Sequence, residues 1–254
     1  MFSLFNTLVS PEKKSNLYFN KFSNNFSSEE GNFEIHNGIP ILLPKNYNTH
    51  TIEHYTKDAE FFDYFEERFP ETAKEEERLY QYIFSKIPPQ AKLIADVGCG
   101  RGWLAKILLD FNRIVVSIDV SYKNVSTALQ KYPSEHHYGI VADGYYLPFK
   151  DETFDCVVAS EVIEHLEKPS SFIAELFRVL KSGGKLILST PYKEKIKYSL
   201  CIHCNKPTPH NAHIHSFDET KLNAMLGETL PKEKSEWKFY RFGNKLIQYL
   251  RLYR

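Results

Sequence analysis

The sequence predicts an α/β fold: a doubly wound, mostly parallel sheet with helices on both faces, preceded by a small N-terminal β and helical segment. Three observations carry this expectation. Short apolar runs recur around Ile94, over 113–118 and over 139–142, and each closes on a carboxylate: Asp96, Asp119 and Asp143. The first run breaks into the alternate glycines Gly98, Gly100 and Gly102 and then into a helical pattern from Trp103. Segments with helical spacing separate the runs, and strand–helix–strand alternation of that kind builds a parallel sheet.

Composition bounds the reading. The chain has 254 residues, 42% of them hydrophobic and 25% charged, enough to bury a full core. The formal net charge is zero, which gives no global drive toward nucleic acid or an anionic membrane. No apolar run reaches membrane-spanning length, and Met1–Ser10 lack a basic leader. A cytoplasmic location with four reduced cysteines is therefore expected. Charge is uneven locally: residues 51–80 hold ten acidic side chains against four Lys and Arg, and 231–254 hold seven Lys and Arg against two Glu. Both read as solvated faces, the second with an RNA-binding tail as its competitor.

Three parts follow along the chain. Residues 1–47 form a leader in which Phe33–Pro44 reads as a small β unit turning at Asn37-Gly38. Residues 48–90 read as a helical cap in two stretches divided by Pro70, the second opened by a capping box of Thr72 and Glu75. Residues 91–254 form the core, with a Cys/His insertion at 196–216.

Within the core, the glycine run cradles a ligand at a strand end, because glycine lets backbone approach without a Cβ. A dinucleotide fingerprint would want a small residue where Trp103 stands and has no use for Asp96. A carboxylate there suits a cationic ligand, and S-adenosylmethionine carries both a sulfonium and an ammonium. Asp119 is placed to accept from two ribose hydroxyls, and Asp143 from an adenine amino group. Ser121 caps the helix between them. Further on, Pro169 and Ser170 open a helix that Gly183-Gly184 end, and Lys185–Thr190 is the fifth strand. Ser216 with Glu219 caps a short helix through Met225, and Glu236–Phe242 reads as a strand. Leu246, Ile247 and Leu250 read as helix, so a closing strand is expected to be absent or to lie past the last residue.

Four stretches, Asp96–Gly102, Asp143–Phe149 with Phe154-Asp155, Ser160–Leu166 and Leu176–Gly184 leading into Ser189-Thr190-Pro191, together resemble the class I S-adenosylmethionine-dependent methyltransferases. The resemblance is to the type 11, ubiquinone-pathway-like branch, with its Rossmann-like sheet. It implies cofactor contacts from Asp96, Gly98, Cys99, Gly100 and Gly102 at the methionine end and from Asp119 and Val120 at the ribose. Asp143 and Gly144 would meet the adenine, with Ser160 and Glu161 at the pocket floor. The leader resembles the zinc ribbon that precedes some ribosomal RNA guanine methyltransferases. Its ligand positions fall on Ser10, Lys13, Ser27 and Glu30, none of which supplies thiolate, so no zinc is expected there.

Two clusters invite metal. Glu161, Glu164 and His165 would share one face of a helix, and in the resembling quinone O-methyltransferases the Glu-x-x-Glu-His pattern has been linked to metal. The alternative is that Glu161 contacts the cofactor while Glu164 and His165 cap and pack the loop. In the insertion, Cys201 and Cys204 with two of His210, His213 and His215 could complete tetrahedral zinc; a reduced thiol pair, a redox couple and pocket-lining histidines compete. The expected reaction is methyl transfer to a small-molecule acceptor, giving S-adenosylhomocysteine, with His165 the first candidate base and His213 and His215 behind it. RNA methylation and a noncatalytic cofactor-binding partner are the other readings. The sequence fixes neither the acceptor nor an oligomeric state.

Overall fold

The computed structural model describes residues 4–45, 69–200, 207–230 and 235–252. Its strands are β1 (Tyr18–Asn20), β2 (Asn25–Ser28), β3 (Gly31–His36), β4 (Ile39–Leu42), β5 (Leu93–Val97), β6 (Ile114–Asp119), β7 (His137–Ala142), β8 (Phe154–Ser160), β9 (Leu180–Pro191), β10 (Tyr198–Leu200), β11 (Pro207–Pro209), β12 (Ser235–Phe242) and β13 (Lys245–Leu252). The helices are α1 (Pro70–Phe84), α2 (Trp103–Leu108), α3 (Tyr122–Lys131), α4 (Pro169–Arg178) and α5 (Glu219–Thr229). Eleven described strands form one sheet in the order β1-β2-β3-β4-β7-β6-β5-β8-β9-β13-β12. From β4 to β9 the neighbours are parallel. The chain winds outward from β5 to β7, then returns to the other side of β5 through β8. Strand order thus reverses at β5, where an open α/β sheet places its ligand crevice.

All five residues of β5 are buried, as a central parallel strand requires, and its side chains alternate between two cores. Leu93, Ala95 and Val97 pack with Phe172, Ile173 and Leu176 of α4 and Leu222 and Leu226 of α5. Ile94 packs on the opposite face with Leu79 and Ile83 of α1 and Leu104 and Leu108 of α2.

The leader joins this sheet rather than standing beside it. Asn37 and Gly38, with φ of 49° and 80°, turn β3 into β4 as expected, and β4 pairs in parallel with β7 through Ile41 and Leu42. Where a ribbon would hold metal, the Glu30 carboxylate accepts from the Ser10 hydroxyl, from the Lys13 N–H at 2.6 Å and from the Glu12 N–H at 3.2 Å. Ser27 stands apart, its hydroxyl on the Tyr18 carbonyl at 3.4 Å. Lys14 ties this hub to the core, donating to the Leu147 carbonyl at 3.1 Å and to Glu175 of α4 at 2.7 Å.

Several boundaries differ from those read in the sequence. Residues 245–252 are strand, not helix: Gly243, at φ 57°, turns β12 into β13, which pairs antiparallel with β9 from Lys245 opposite Pro191. Leu246 and Ile247 are fully buried in opposite cores, so this strand shows no polar alternation and its apolar spacing imitates a helix. α1 opens on Pro70 with no side-chain cap, because proline suits the first helical position, and Thr72 and Glu75 fall inside the helix. The helical stretch expected before Pro70 lies, up to residue 68, outside the described residues. α4 ends at Arg178, and Gly183 and Gly184 lie in β9, in the bulge between Leu180, opposite Phe154, and Lys185, opposite Cys156. The cap of α5 is Asp218, which accepts from the Lys221 N–H at 2.9 Å, not Ser216. Ser121 does cap α3, accepting from the Asn124 N–H at 3.3 Å.

Candidate active site

Asp96, Asp119 and Asp143 sit at the carboxyl edge of β5, β6 and β7, as the sequence implied. Asp96 is 1% exposed and its Oδ2 meets no hydrogen-bond partner. Burial, then the nearby Asp119, pushes its carboxyl well above the usual range. A buried, unpaired carboxylate is costly unless a cation completes it.

The glycine turn closes beside it. The Gly98 and Cys99 N–H groups donate to the Ile118 carbonyl at 2.8 and 3.0 Å, stitching the loop to β6. Gly98 has φ 74°, and a Cβ there would strike Val162 at 2.6 Å. Gly100, at φ 43°, differs: a Cβ would meet nothing within 4 Å, so this glycine borders open space. The Gly100 N–H donates to Asp119 Oδ2 at 3.1 Å, and the Ser121 N–H to Oδ1 at 2.9 Å. Burial still outweighs these bonds and raises the Asp119 carboxyl. Cys99 is buried, which pushes its thiol well up and leaves it unreactive, and Val120 is half-buried beyond β6. Asp143 is raised by burial against the Tyr145 N–H at 2.9 Å, and Gly144 lies so close to Phe172 that a Cβ would approach its ring at 2.4 Å.

Helix α1 covers the turn. Tyr80 stacks on Trp103 with ring centroids 4.2 Å apart and an interplanar angle of 5°. Arg101 reaches Glu76 at 3.2 Å. Burial, then Glu76, raises the Tyr80 phenol, on which Asp96 and Glu161 also act. These aromatics therefore stand beside the glycine turn, and only the fold shows it.

Beyond β8 the geometry departs from the sequence reading. Glu161, Glu164 and His165 do not form one helical face: Glu161 is in the left-handed region at φ 59°, and Ile163–His165 is a single 3-10 turn. Ser160 Oγ lies 2.8 Å from Ser189 Oγ, which donates to Glu161 Oε1 at 3.0 Å, while Lys245 pairs with Oε2. Glu164 is fully buried, and its Oε2 accepts from the Thr190 hydroxyl at 3.0 Å. Burial, then Glu161, raises its carboxyl. The His165 ring lies 4.7 Å from that of His213 and is pushed down to about 4 by burial and by His213. His213 Nδ1 meets Glu194 Oε2 at 2.5 Å. The insertion is stitched to the turn, because the Ile214 and His215 N–H groups both donate to the Glu164 carbonyl, at 2.9 and 3.1 Å.

The described group whose ligand atoms converge, all within 4.8 Å, is Glu164, His165 and His213, with Glu161 outside it. Of the residues expected to hold zinc, Cys201, Cys204 and the His210 side chain lie outside those described. His213 turns to Glu194 and His165, while His215 packs against Phe217 at 5.7 Å, so the two do not converge as joint ligands. Sequence reasoning missed Glu194, Thr190 and Lys245. Glu194 carried a usable signal, being the first carboxylate after the fifth strand; Lys245 was hidden by the misread helix.

A reversed parallel sheet, three carboxylates at consecutive strand ends and a glycine turn at the switch point define the class I methyltransferase fold. Residues 95–188 match the family described as a methyltransferase domain. It is 33% identical over 135 residues to a Mycolicibacterium smegmatis protein named a probable S-adenosylmethionine-dependent methyltransferase, covering 52% of this chain and 49% of that one. It is 35% identical over 127 residues to the mitochondrial ubiquinone biosynthesis O-methyltransferase of Rattus norvegicus, covering 45% and 35% respectively. The chain thus spans half or less of the length of these curated relatives. A solved Pyrococcus horikoshii protein superposes with a TM-score of 0.56 at 20% identity, covering 79% of this chain and 98% of that one. Among the described residues, no helix is long and apolar enough to cross a membrane.

Proposed function

We propose that this chain transfers the methyl group of S-adenosylmethionine to a small-molecule acceptor, releasing S-adenosylhomocysteine. The observation that carries this reading is the orphaned Oδ2 of Asp96, buried at the switch point beside a glycine turn that opens on free space at Gly100. An ammonium would complete that carboxylate. Asp119 and Asp143 retain lone pairs for hydroxyl and amino donors, although each already accepts from this chain's backbone. Gly98, Cys99, Gly102, Val120, Gly144 and Ser160 belong to the same cradle.

The bound cofactor supplies an already activated methyl group, so the protein's part is alignment, exclusion of water and removal of the acceptor's proton. We assign that proton to His213. Glu194 fixes its ring, whereas the basicity of His165 is depressed by burial. His165 then lines the acceptor pocket beside it. The free, buried thiols of Cys99 and Cys156 suit a reducing cytoplasm. Zinc at the Cys201–His215 insertion stays in this reading as a measurement: one equivalent in the purified chain would restore it, and none would remove it.

Calorimetric titration with S-adenosylmethionine tests the core of the proposal. Saturable one-to-one binding, lost in Asp96→Asn, is the expected result. A chain that binds no cofactor ends the reading.

A further inference from the structure

Glu161 and Glu164 bring two carboxyl groups close enough to act on each other in a sheltered corner, one of them fully buried. Such a pair is relieved by a proton kept on one member or by a nearby cation. The resemblance would supply a divalent ion held by Glu161, Glu164 and His165, but Glu161 does not fit that role here. Its Oε1 takes the Ser189 hydroxyl and its Oε2 the Lys245 ammonium. Lys245 is the first residue of β13, held in register by Pro191 on β9 and Phe242 on β12. Its charge is therefore delivered by a strand of the main sheet, not by a loop. Only about a quarter of each partner's side chain is exposed, 24% for Lys245 and 27% for Glu161. The same charge acts on both neighbours, opposing in part the rise that burial and Glu161 impose on the Glu164 carboxyl and adding to the depression of His165.

We propose that the Lys245 ammonium is the resident cation of this corner, standing where the Glu-x-x-Glu-His pattern would otherwise hold a divalent metal ion. A metal at Glu161 would meet the repulsion of the ammonium already on Oε2, so displacing that ammonium favours its entry. The charge balance is thereby built into the chain and cannot be removed by a chelator. This deepens the methyltransferase reading, on which it rests for its consequence: transfer at this pocket draws on no divalent ion at Glu161.

The test uses Mn²⁺ alone, followed by the paramagnetic signal of the free ion, on the full chain. Wild type, Lys245→Ala and Lys245→Met are each compared with the same chain carrying Glu161→Gln. Removing the ammonium is expected to tighten Mn²⁺ binding by at least about tenfold, and Glu161→Gln is expected to abolish the gain. Wild-type binding is expected to be unchanged by Glu161→Gln, and ion held by the Glu164, His165 and His213 group alone survives that substitution in every background. Wild-type Mn²⁺ binding that Glu161→Gln abolishes would overturn the proposal, as would Lys245 variants that gain nothing. Circular dichroism melts of the same samples report folding of the variants. Titration of the wild type with S-adenosylmethionine separates the two ideas, because a chain that binds no cofactor sinks the methyltransferase reading while leaving the Mn²⁺ comparison intact.

Discussion

Glu194 grips His213 through Nδ1 at 2.5 Å, coupling a residue just past β9 to one in the insertion. A carboxylate at Nδ1 orients the ring and, in the neutral imidazole, leaves Nε2 as the accepting nitrogen. Replacing His213 with alanine is expected to lower acceptor-dependent formation of S-adenosylhomocysteine by about 10²–10⁴-fold. Glu194→Gln should fall between the two, because it leaves the imidazole but loosens its orientation. The measurement is kcat on the first hydroxylated acceptor that turns over, together with cofactor affinity. Equal loss of cofactor affinity in His213→Ala would move His213 out of the role of base.

Asp96 supplies the second prediction. Its carboxyl is raised by burial and by Asp119, and pairing with an ammonium would lower it again, so cofactor binding should expel a proton. At about pH 6.5 the cofactor's own amino group is already protonated and takes none up. Calorimetric titrations in buffers of different ionisation enthalpy should therefore show net proton release near that pH. Zero or inward proton flow would mean that Asp96 is not the group meeting the ammonium.

The three strand-end aspartates and the glycine turn were legible because each is local: an apolar run, a carboxylate and a turn residue adjacent in sequence. The converging Glu164, His165, Glu194 and His213 were not, since they come from two loops whose meeting depends on backbone bonds from Ile214 and His215 to Glu164. β13 was misread for a related reason. A strand buried on both faces has no periodicity of its own, and only its pairing with β9 tells it from a helix. The leader was read correctly as β structure, but its union with the sheet through Ile41 and Val141 leaves no trace in either segment alone.

Gly144 offers a packing test. A methyl at this position would approach Phe172 Cε2 at 2.4 Å, and Phe172 is 1% exposed, so neither partner has room to move. Gly144→Ala is expected to cost about 1–3 kcal/mol, read as a lower melting temperature. Phe172→Leu should recover part of that loss in the double variant, because the shorter side chain vacates the ring position. Strict additivity of the two changes would show that the clash is not what destabilises the chain.

His165 makes stability depend on pH in a defined direction. Its folded value, about 4, lies below the ordinary 6.5, so between these limits the unfolded chain binds the extra proton. The stabilisation is complete above about pH 6.5 and drains away as pH falls toward 4, by up to about 3 kcal/mol. Asp96 and Glu164, whose carboxyls are raised, act in the opposite sense over an overlapping range, so the whole-protein profile mixes the two. Urea midpoints of wild type and His165→Asn, measured from pH 4 to 7, separate them, since the carboxyl contributions are common to both chains. The difference between the chains should shrink steadily with acidity, because the asparagine has no proton to gain. A difference that stays level across that interval would mean that His165 takes up its proton as readily in the folded chain as in the unfolded one, and that burial does not hold it neutral.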